Sequence, residues 1–294
     1  MNNLVIIDGH AVAHRAYHSI PKLTHRGSPV NAIYGFYSMI LSVIDQLKPK
    51  YLVVCLDSPG PTFRNTEFIG YRAKRKPADK DLVCQLPLLP QTLEISQIPN
   101  LALGGYEADD IIATIAQKNY PSCDKISIVT GDKDLMQLVN DKIELFMPIQ
   151  GLSVTKTITP KDVEEKLGVL PSQVVDLKAL MGDMSDNYPG VAGIGPKAAI
   201  DLLKEYDNLD NIYKNIDKIK SSVKEKLIKD KDNAYLSQKL ATLVYDVPVN
   251  FNLENSSYNQ DKIQGLTKLF QEYNFKTLLN RLNKPPCIDK LSLF

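Results

Sequence analysis

Several absences narrow the field before any motif is read. The four cysteines, Cys55, Cys84, Cys123 and Cys287, are widely separated and form no C-x-x-C pair. Neither a disulfide framework nor a zinc knuckle is therefore indicated. Apolar runs such as LVII and YLVVCL are far too short to span a bilayer, and the N-terminus enters strand pattern at once, with no charged n-region or long apolar h-region. A cytoplasmic chain with no membrane partner is the expectation. Net charge is only +1, so no overall basic excess advertises a polyanionic partner. There is no internal repeat, low-complexity tract or flexible linker. Histidine is scarce, and His10, His14, His18 and His25 all lie near the N-terminus. The first three recur every four residues, but the zinc helix motif H-E-x-x-H needs a glutamate that GHAVAHRAYH lacks, so they read as a surface stripe.

What is present is an ordinary mixture. With 294 residues, 44% hydrophobic and 23% charged, the chain can bury one sizeable core plus a smaller second unit. Residues 3–8 and 51–57 are strand-like, 29–47 an amphipathic helix, 107–119 and 133–140 helices around a strand at 126–130, with a further strand at 143–147. Such alternation predicts an α/β fold with a parallel-rich central sheet flanked by helices. From about residue 160 the pattern is helical, in segments broken by Pro, Gly and Asn. The expected division is 1–165, α/β, and 166–294, helical.

Acids mark the ends of the strand-like runs. Asp8, Asp57, Glu107, Asp109, Asp110, Asp132, Asp134, Asp183 and Asp186 form five short clusters, three of them closing LVIID, YLVVCLD and ISIVTGDKD. Carboxyl ends of neighbouring parallel strands lie side by side, so these acids can converge on one crevice. Packed carboxylates repel or take up protons unless cations neutralise them, and hard oxygen donors suit magnesium or manganese. Capping of helices explains a single acid well, but it leaves the pairs and triplets over. The chain thus reads as a metal-dependent enzyme acting on phosphate.

Charge distribution adds a partner class. Arg64, Arg72, Lys74, Arg75, Lys76 and Lys80 crowd one stretch opposed only by Glu67 and Asp79, and a solvated helix face is the plain reading of such a run. Next to an acidic crevice it also suits a polyanion held through its phosphates. Tyr71 heads the run, where a ring can stack on an exposed base. Farther on, PGVAGIGPKAA supplies Gly190, Gly193 and Gly195 for a tight turn with positive φ, and Pro196 to start a helix. That hairpin offers backbone N–H groups around Ile194, with Lys197, to a phosphate.

Together MGDMSDNYPGVAGIGPKAA, GYEADDIIATIA, TGDKDLMQLV, GPTFR and GYRAKR resemble the 5′-nuclease family, most closely the 5′→3′ exonuclease domain at the N-terminus of bacterial DNA polymerase I, related to the flap endonucleases. The similarity runs from LVIIDG through NFKTLLN. It implies that Asp8, Asp57, Glu107, Asp109 and Asp110 surround a first metal and Asp132, Asp134, Asp183 and Asp186 a second, some shared or acting through water, as Mg2+ with Mn2+ able to substitute. It further implies that Tyr71, Arg72 and Arg75 belong to a helical arch threaded by single-stranded 5′ DNA, that Arg15 and Arg64 lie near the scissile phosphate, and that PGVAGIGPKAA is a helix-three-turn-helix gripping duplex DNA, with K+ on turn carbonyls.

Three positions depart from the family pattern. Arg72 stands where lysine is usual, Pro196 where glutamate is common, and His10 where serine is usual. Arginine keeps its charge but does not readily lose a proton, which puts a proton-transfer role at that position in doubt.

The implied function is 5′→3′ exonuclease and 5′-flap endonuclease cleavage near a single-strand/duplex junction, giving 5′-phosphate and 3′-hydroxyl ends during primer removal and repair. The implied setting is a nucleoid-associated monomer, stand-alone or an isolated domain, with RNA primers among its substrates and a DNA polymerase as partner. The alternatives are a PIN-type ribonuclease, usually about half this length, and a catalytically silent DNA-junction binder.

Overall fold

The structure, a computed structural model, describes residues 2–152 and 154–283; Cys287 and the end of the expected 166–294 region lie outside the described residues. Its centre is a six-stranded sheet in the order β5-β4-β1-β6-β7-β8. β1 (Asn3–Asp8) pairs in parallel with β4 (Tyr51–Cys55) on one side and β6 (Lys125–Val129) on the other. β5 (Asn100–Leu101) and β7 (Ile143–Gln150) extend the parallel set, and β8 (Val154–Ile158) closes it antiparallel to β7. A separate hairpin, β2 (Thr24–His25) and β3 (Ser28–Pro29), stands outside the sheet.

Alternation along the strands sends side chains to opposite faces. Leu4, Ile6, Val53, Ile126 and Ile128 join one core, covered by α6 (Ala108–Asn119) and by the helices that follow the sheet. Val5, Ile7, Leu52 and Val54 join the other, beneath α1 (Gly9–Ser19) and α2 (Asn31–Leu47). The helical region comprises α7 (Pro160–Leu167), α8 (Val174–Met181), α9 (Pro196–Tyr206), α10 (Leu209–Lys214), α11 (Ser221–Lys229) and α12 (Lys231–Ala241). The final helices, α13 (Gln260–Glu272) and α14 (Lys276–Leu282), return to the α2 face through Leu266, Phe270 and Leu278.

Because β1 is followed on one side by β4 and later on the other by β6, the order of connection reverses beside β1. A crevice opens at the strand carboxyl ends at such a point, and Asp8 is the last residue of β1.

Three local expectations change. Residues 133–140 are not an α-helix; Asp134–Leu138 is a short 3₁₀ turn that ends where Val139 is extended. The segment after residue 150 is a strand, β8, whose partly exposed, polar-rich VTKTI gives little apolar signal. The expected helical arch is not helical. Short helices α3 (Phe63–Glu67) and α4 (Lys80–Val83), with α5 (Leu88–Ile95) beyond them, flank residues 68–79, which run as turns and extended chain. Arg72 has φ +56° within that segment, and Pro77 removes a backbone donor, so a continuous helix is interrupted twice.

Candidate active site

Four carboxylates gather where β1, β4 and β6 end. Asp8 is buried; its Oδ1 accepts from the N–H of Ala11 at 3.0 Å, capping α1, and its Oδ2 accepts from Thr130 Oγ1 at 2.8 Å. Asp57 follows β4, and its Oδ1 accepts from the N–H of Ala108 at 2.8 Å, at the start of α6. Asp109 sits in the first turn of that helix, and Asp132 follows β6 with its N–H on Thr130 Oγ1 at 2.9 Å. Capping is thus a real use of these acids, and it leaves their charge unanswered. Burial, with Asp57 and Asp132 adding repulsion, pushes the Asp8 carboxyl up to about 7 despite its two hydrogen bonds. Burial, then Asp132, Asp8 and Asp57, raises Asp109 well above the ordinary carboxylate range. Among the described residues, no Lys or Arg forms an ion pair with any of these four; Asp57 has only His10 Nδ1, at 3.8 Å.

A second group, beyond Asp132, is matched with bases. Lys178 on α8 donates to Asp183 Oδ2 at 2.8 Å and is ion-paired with Asp134. Burial outweighs that partner at Asp134, raising it to about 6. At Asp183, burial is overcome by Lys178, the Ser185 hydroxyl and the N–H of Asp186, holding the carboxyl well below its usual range. Asp186, buried, meets Arg72 Nε at 3.1 Å and Arg75 Nη2 at 3.2 Å. Arg72 also reaches Glu107, with Nη1 2.8 Å from Oε1, and its N–H donates to the carbonyl of Asp186 at 2.9 Å. Asn187 Nδ2 donates to the carbonyl of Gly70 at 2.6 Å. The basic segment is therefore pinned at its base to the Asp183–Asn187 turn.

Two cavities adjoin the acids. One of about 780 Å³ is lined by Asp8, Asp57, Asp109, His10, Arg72 and Arg75. The other, about 870 Å³, is lined by Asp134, Lys178, Asp183, His14, Arg15 and Met184. Asp132, His14 and His18 line both. The histidine stripe, expected as plain surface, faces this crevice, and His10 Nδ1 accepts the N–H of Asp57 at 3.0 Å.

The match with known proteins follows from the whole chain. The family described as "5'-3' exonuclease, N-terminal resolvase-like domain" matches residues 3–168, and "5'-3' exonuclease, C-terminal SAM fold" matches residues 169–264. A 5'-3' exonuclease of Aquifex aeolicus is 37% identical over 285 residues, covering 97% of this chain and 96% of that protein. The chain belongs to the 5′-3′ exonuclease family. Against DNA polymerase I of Caldicellulosiruptor bescii the identity is 42% over 284 residues, covering 95% of this chain. The chain spans about a third of the length of that polymerase, 33%. A T5 5'-exonuclease with zinc bound shares the fold, with TM-score 0.67 and 24% identity over 95% of this chain and 98% of that one.

Within this member of the family, several site expectations need correcting. Arg64 is 1% exposed: Nη1 and Nη2 grip Asp110 at 2.7 and 2.8 Å, while Nε and Nη2 cap the carbonyls of Leu240 and Thr242. Arg64 Nη1 also lies 3.5 Å from Glu107 Oε2, so the guanidinium and Asp110 are engaged within the fold, where they fasten α12 to α6. Tyr71 is 4% exposed, with its hydroxyl 3.2 Å from Glu107 Oε2 and 3.1 Å from Asp186 Oδ2, so it is not available to stack on a base. Asp132 stands between the two sets, repelling Asp8 and Asp109 on one side and Asp134 on the other.

In the hairpin, Gly190 (φ +62°) and Gly193 (φ +78°) are left-handed, and a Cβ on Gly190 would strike the Gly182 backbone nitrogen at 2.1 Å. Gly195 has φ −95° and open space, so any residue fits its backbone. The Ile194 side chain is buried, leaving only its backbone for a ligand. Lys74, Lys76 and Lys197 are exposed, and Arg15 Nε donates to the carbonyl of Gly151 at 3.2 Å. Lys178 and Thr130 went unnoticed in the sequence. The only signal for Lys178 is a basic residue in a largely apolar helix, shared with Asp176, that runs straight into GDMSD.

Proposed function

We propose that the chain is a divalent-metal-dependent 5′→3′ exonuclease and 5′-flap endonuclease that hydrolyses DNA phosphodiesters near a single-strand/duplex junction. The observation that carries the reading is the convergence of Asp8, Asp57, Asp109 and Asp132, with no Lys or Arg ion-paired to them among the described residues, beside Arg72 and Arg75. Asp8 and Asp109, raised by burial and by repulsion from their neighbours, fit a dication, whose charge would relieve both. Asp8, Asp57, Asp109 and Asp132 would hold a first ion, and Asp134, Asp183 and Asp186 a second. Zinc in the T5 enzyme, and DNA with metal ions in a T5 flap endonuclease, support the same class of ligand. Mg2+ suits the all-oxygen donor set, with Mn2+ able to replace it.

Bound metal lowers the pKa of its water and stabilises charge on the phosphate and the leaving 3′ oxygen. The chain's own residues do the rest. Thr130 and the N–H of Ala11 fix both oxygens of Asp8. Arg72 and Arg75 stand at the cavity mouth and exchange carboxylate for phosphate when DNA enters, placing positive charge where the transition state gains negative charge. Tyr71 holds Glu107 and Asp186 in register. Lys74 and Lys76 take phosphates of the single strand, and Lys197, with the N–H groups at the start of α9, those of the duplex.

The same reading takes residues 1–165 as the catalytic region and 166–294 as the duplex-binding region, with α8, the turn 182–195 and α9 as the helix-three-turn-helix. K+ on its turn carbonyls would have to displace Lys226, whose Nζ donates to the carbonyl of Gly193 at 3.0 Å. RNA-primer and flap removal in replication and repair, alongside a DNA polymerase and near the nucleoid, is the biological setting proposed. No helix among the described residues is long and apolar enough to cross a membrane.

The test is cleavage of a labelled 5′-flap duplex with Mg2+ and with EDTA, sizing products and identifying their ends. Metal-dependent cuts at the junction leaving 5′-phosphate are expected. Cleavage of single-stranded RNA alone would favour a PIN-type ribonuclease, and binding without cleavage a silent junction binder.

A further inference from the structure

We infer that Lys178 is a displaceable internal cation: its ammonium fills the space between Asp134 and Asp183 that a divalent ion would take, and it withdraws into the adjoining groove when that ion binds. This rests on the metal-dependent reading above and deepens it. Lys178 Nζ donates to Asp183 Oδ2 at 2.8 Å and is ion-paired with Asp134 Oδ1. A dication coordinated by those two oxygens would sit about 2.1 Å from each, within contact distance of the nitrogen. The two cations therefore exclude one another by size and by like charge.

Among the described residues no other group hydrogen-bonds the ammonium, though Tyr188 lies near enough to act on it electrostatically. Lys178 lies on α8 with its side chain 17% exposed, and its polar contacts among the described residues are these two carboxylates. Its four-carbon stem can swing without moving the helix. There is room for it to go: the groove of about 870 Å³ is lined by Lys178 together with His14, Met181 and Met184, the last 96% exposed. Arg64 is the contrasting case, with its guanidinium locked by backbone carbonyls as well as by Asp110. One basic group is built to stay and the other is free to leave.

The experiment counts bound Mn2+ by electron paramagnetic resonance in the full chain without DNA, for wild type, Lys178→Met and Lys178→Arg. Thermal denaturation is followed in EDTA and in saturating Mn2+. In Lys178→Met the second Mn2+ is expected to bind about tenfold tighter or more, since no close charge pair need be broken. Its melting temperature is expected to fall in EDTA, where Asp134 and Asp183 repel, and to approach wild type with Mn2+. Lys178→Arg keeps both ion pairs and is expected to bind the second ion as weakly as wild type or more so. An unchanged second affinity in Lys178→Met, with equal loss of stability in both conditions, overturns the inference and leaves the two-ion site standing. Failure of all three proteins to take up a second ion overturns both.

Discussion

The two groups of acids lie side by side yet solve the same electrostatic problem in opposite ways. Among the described residues Asp8, Asp57, Asp109 and Asp132 have no Lys or Arg within ion-pair distance, and burial with mutual repulsion pushes Asp8 up to about 7 and raises Asp109 as well. Asp134, Asp183 and Asp186 are answered from within the chain by Lys178, Arg72 and Arg75. Repulsion in the first group is left for an outside cation to relieve, whereas the second already has bases of the chain beside it. Chemically alike residues therefore differ in how they set stability, and the difference can be broken or sharpened by substitution.

The largest effect is expected on the unmatched side. Asp109→Asn will lower single-turnover flap cleavage by a factor on the order of a thousand or more, since a charged donor is lost from the centre of the chemistry. In EDTA the same change will raise the melting temperature by roughly a few degrees, because it removes a carboxyl whose charged form is disfavoured by burial and by Asp132, Asp8 and Asp57. Asp183→Asn will also abolish efficient cleavage but lower the EDTA melting temperature, leaving Lys178 half-paired. Movement of both melting temperatures in one direction would erase the contrast.

Next in size is the pair of arginines. Arg72→Ala is expected to slow single-turnover cleavage by about a hundredfold, with duplex affinity little changed. Arg64→Ala is expected to destabilise the fold by about 3–5 kcal/mol, the range for stripping one partner from a buried ion pair, as measured by denaturant unfolding. A catalytic defect in a fully stable Arg64→Ala protein would return that residue to the phosphate.

Smaller is the response to pH without metal. The folded Asp8 carboxyl is raised from 3.8 to about 7, so its contribution to stability is fully present below pH 3.8 and is lost as pH rises through 7. Asp183 is shifted the other way; its contribution is present above pH 3.8 and vanishes only in strong acid. Between pH 5 and 8 the EDTA melting temperature will therefore fall, and Asp8→Asn will flatten the slope. A slope unchanged in Asp8→Asn would sink the assignment.

Smallest is the hairpin. Lys197→Ala will reduce the slope of log affinity against log salt for duplex-bearing DNA by about 0.9, one phosphate contact. Gly193→Val will weaken the same binding through its φ of +78°, whereas Gly195→Ala will leave it alone. Equal losses on bare single strands would show that the hairpin is not the duplex anchor.

Much of the framework was legible. LVIID, YLVVC and KISIV announce buried parallel strands, and the rule that ligands gather at their carboxyl ends brings Asp8, Asp57 and Asp132 together before any coordinates. What stayed hidden was pairing. Nothing local joins Arg64 to Asp110, or Lys178 to Asp134, because those contacts are set by helix packing across long sequence separations. Tyr71 heads a basic run and reads as exposed; only the turn created by Arg72 at positive φ folds it inward beneath Glu107 and Asp186. The strand VTKTI was missed because an edge strand with one exposed face has a weak apolar pattern.

Arg64 has a consequence for the order in which the protein comes into being. Its hydrogen bonds reach forward 176 residues to Leu240 and 178 to Thr242, and β1 cannot complete its pairing until β6 exists. A nascent chain emerging from the ribosome thus carries Asp8 and Asp57 long before the clasp that seats α6 against them. Contacts so distant in sequence form late. Partly made copies therefore hold Asp8 and Asp57 without the clasp that seats α6 beside them, so the acidic crevice is completed only when most of the chain has been synthesised.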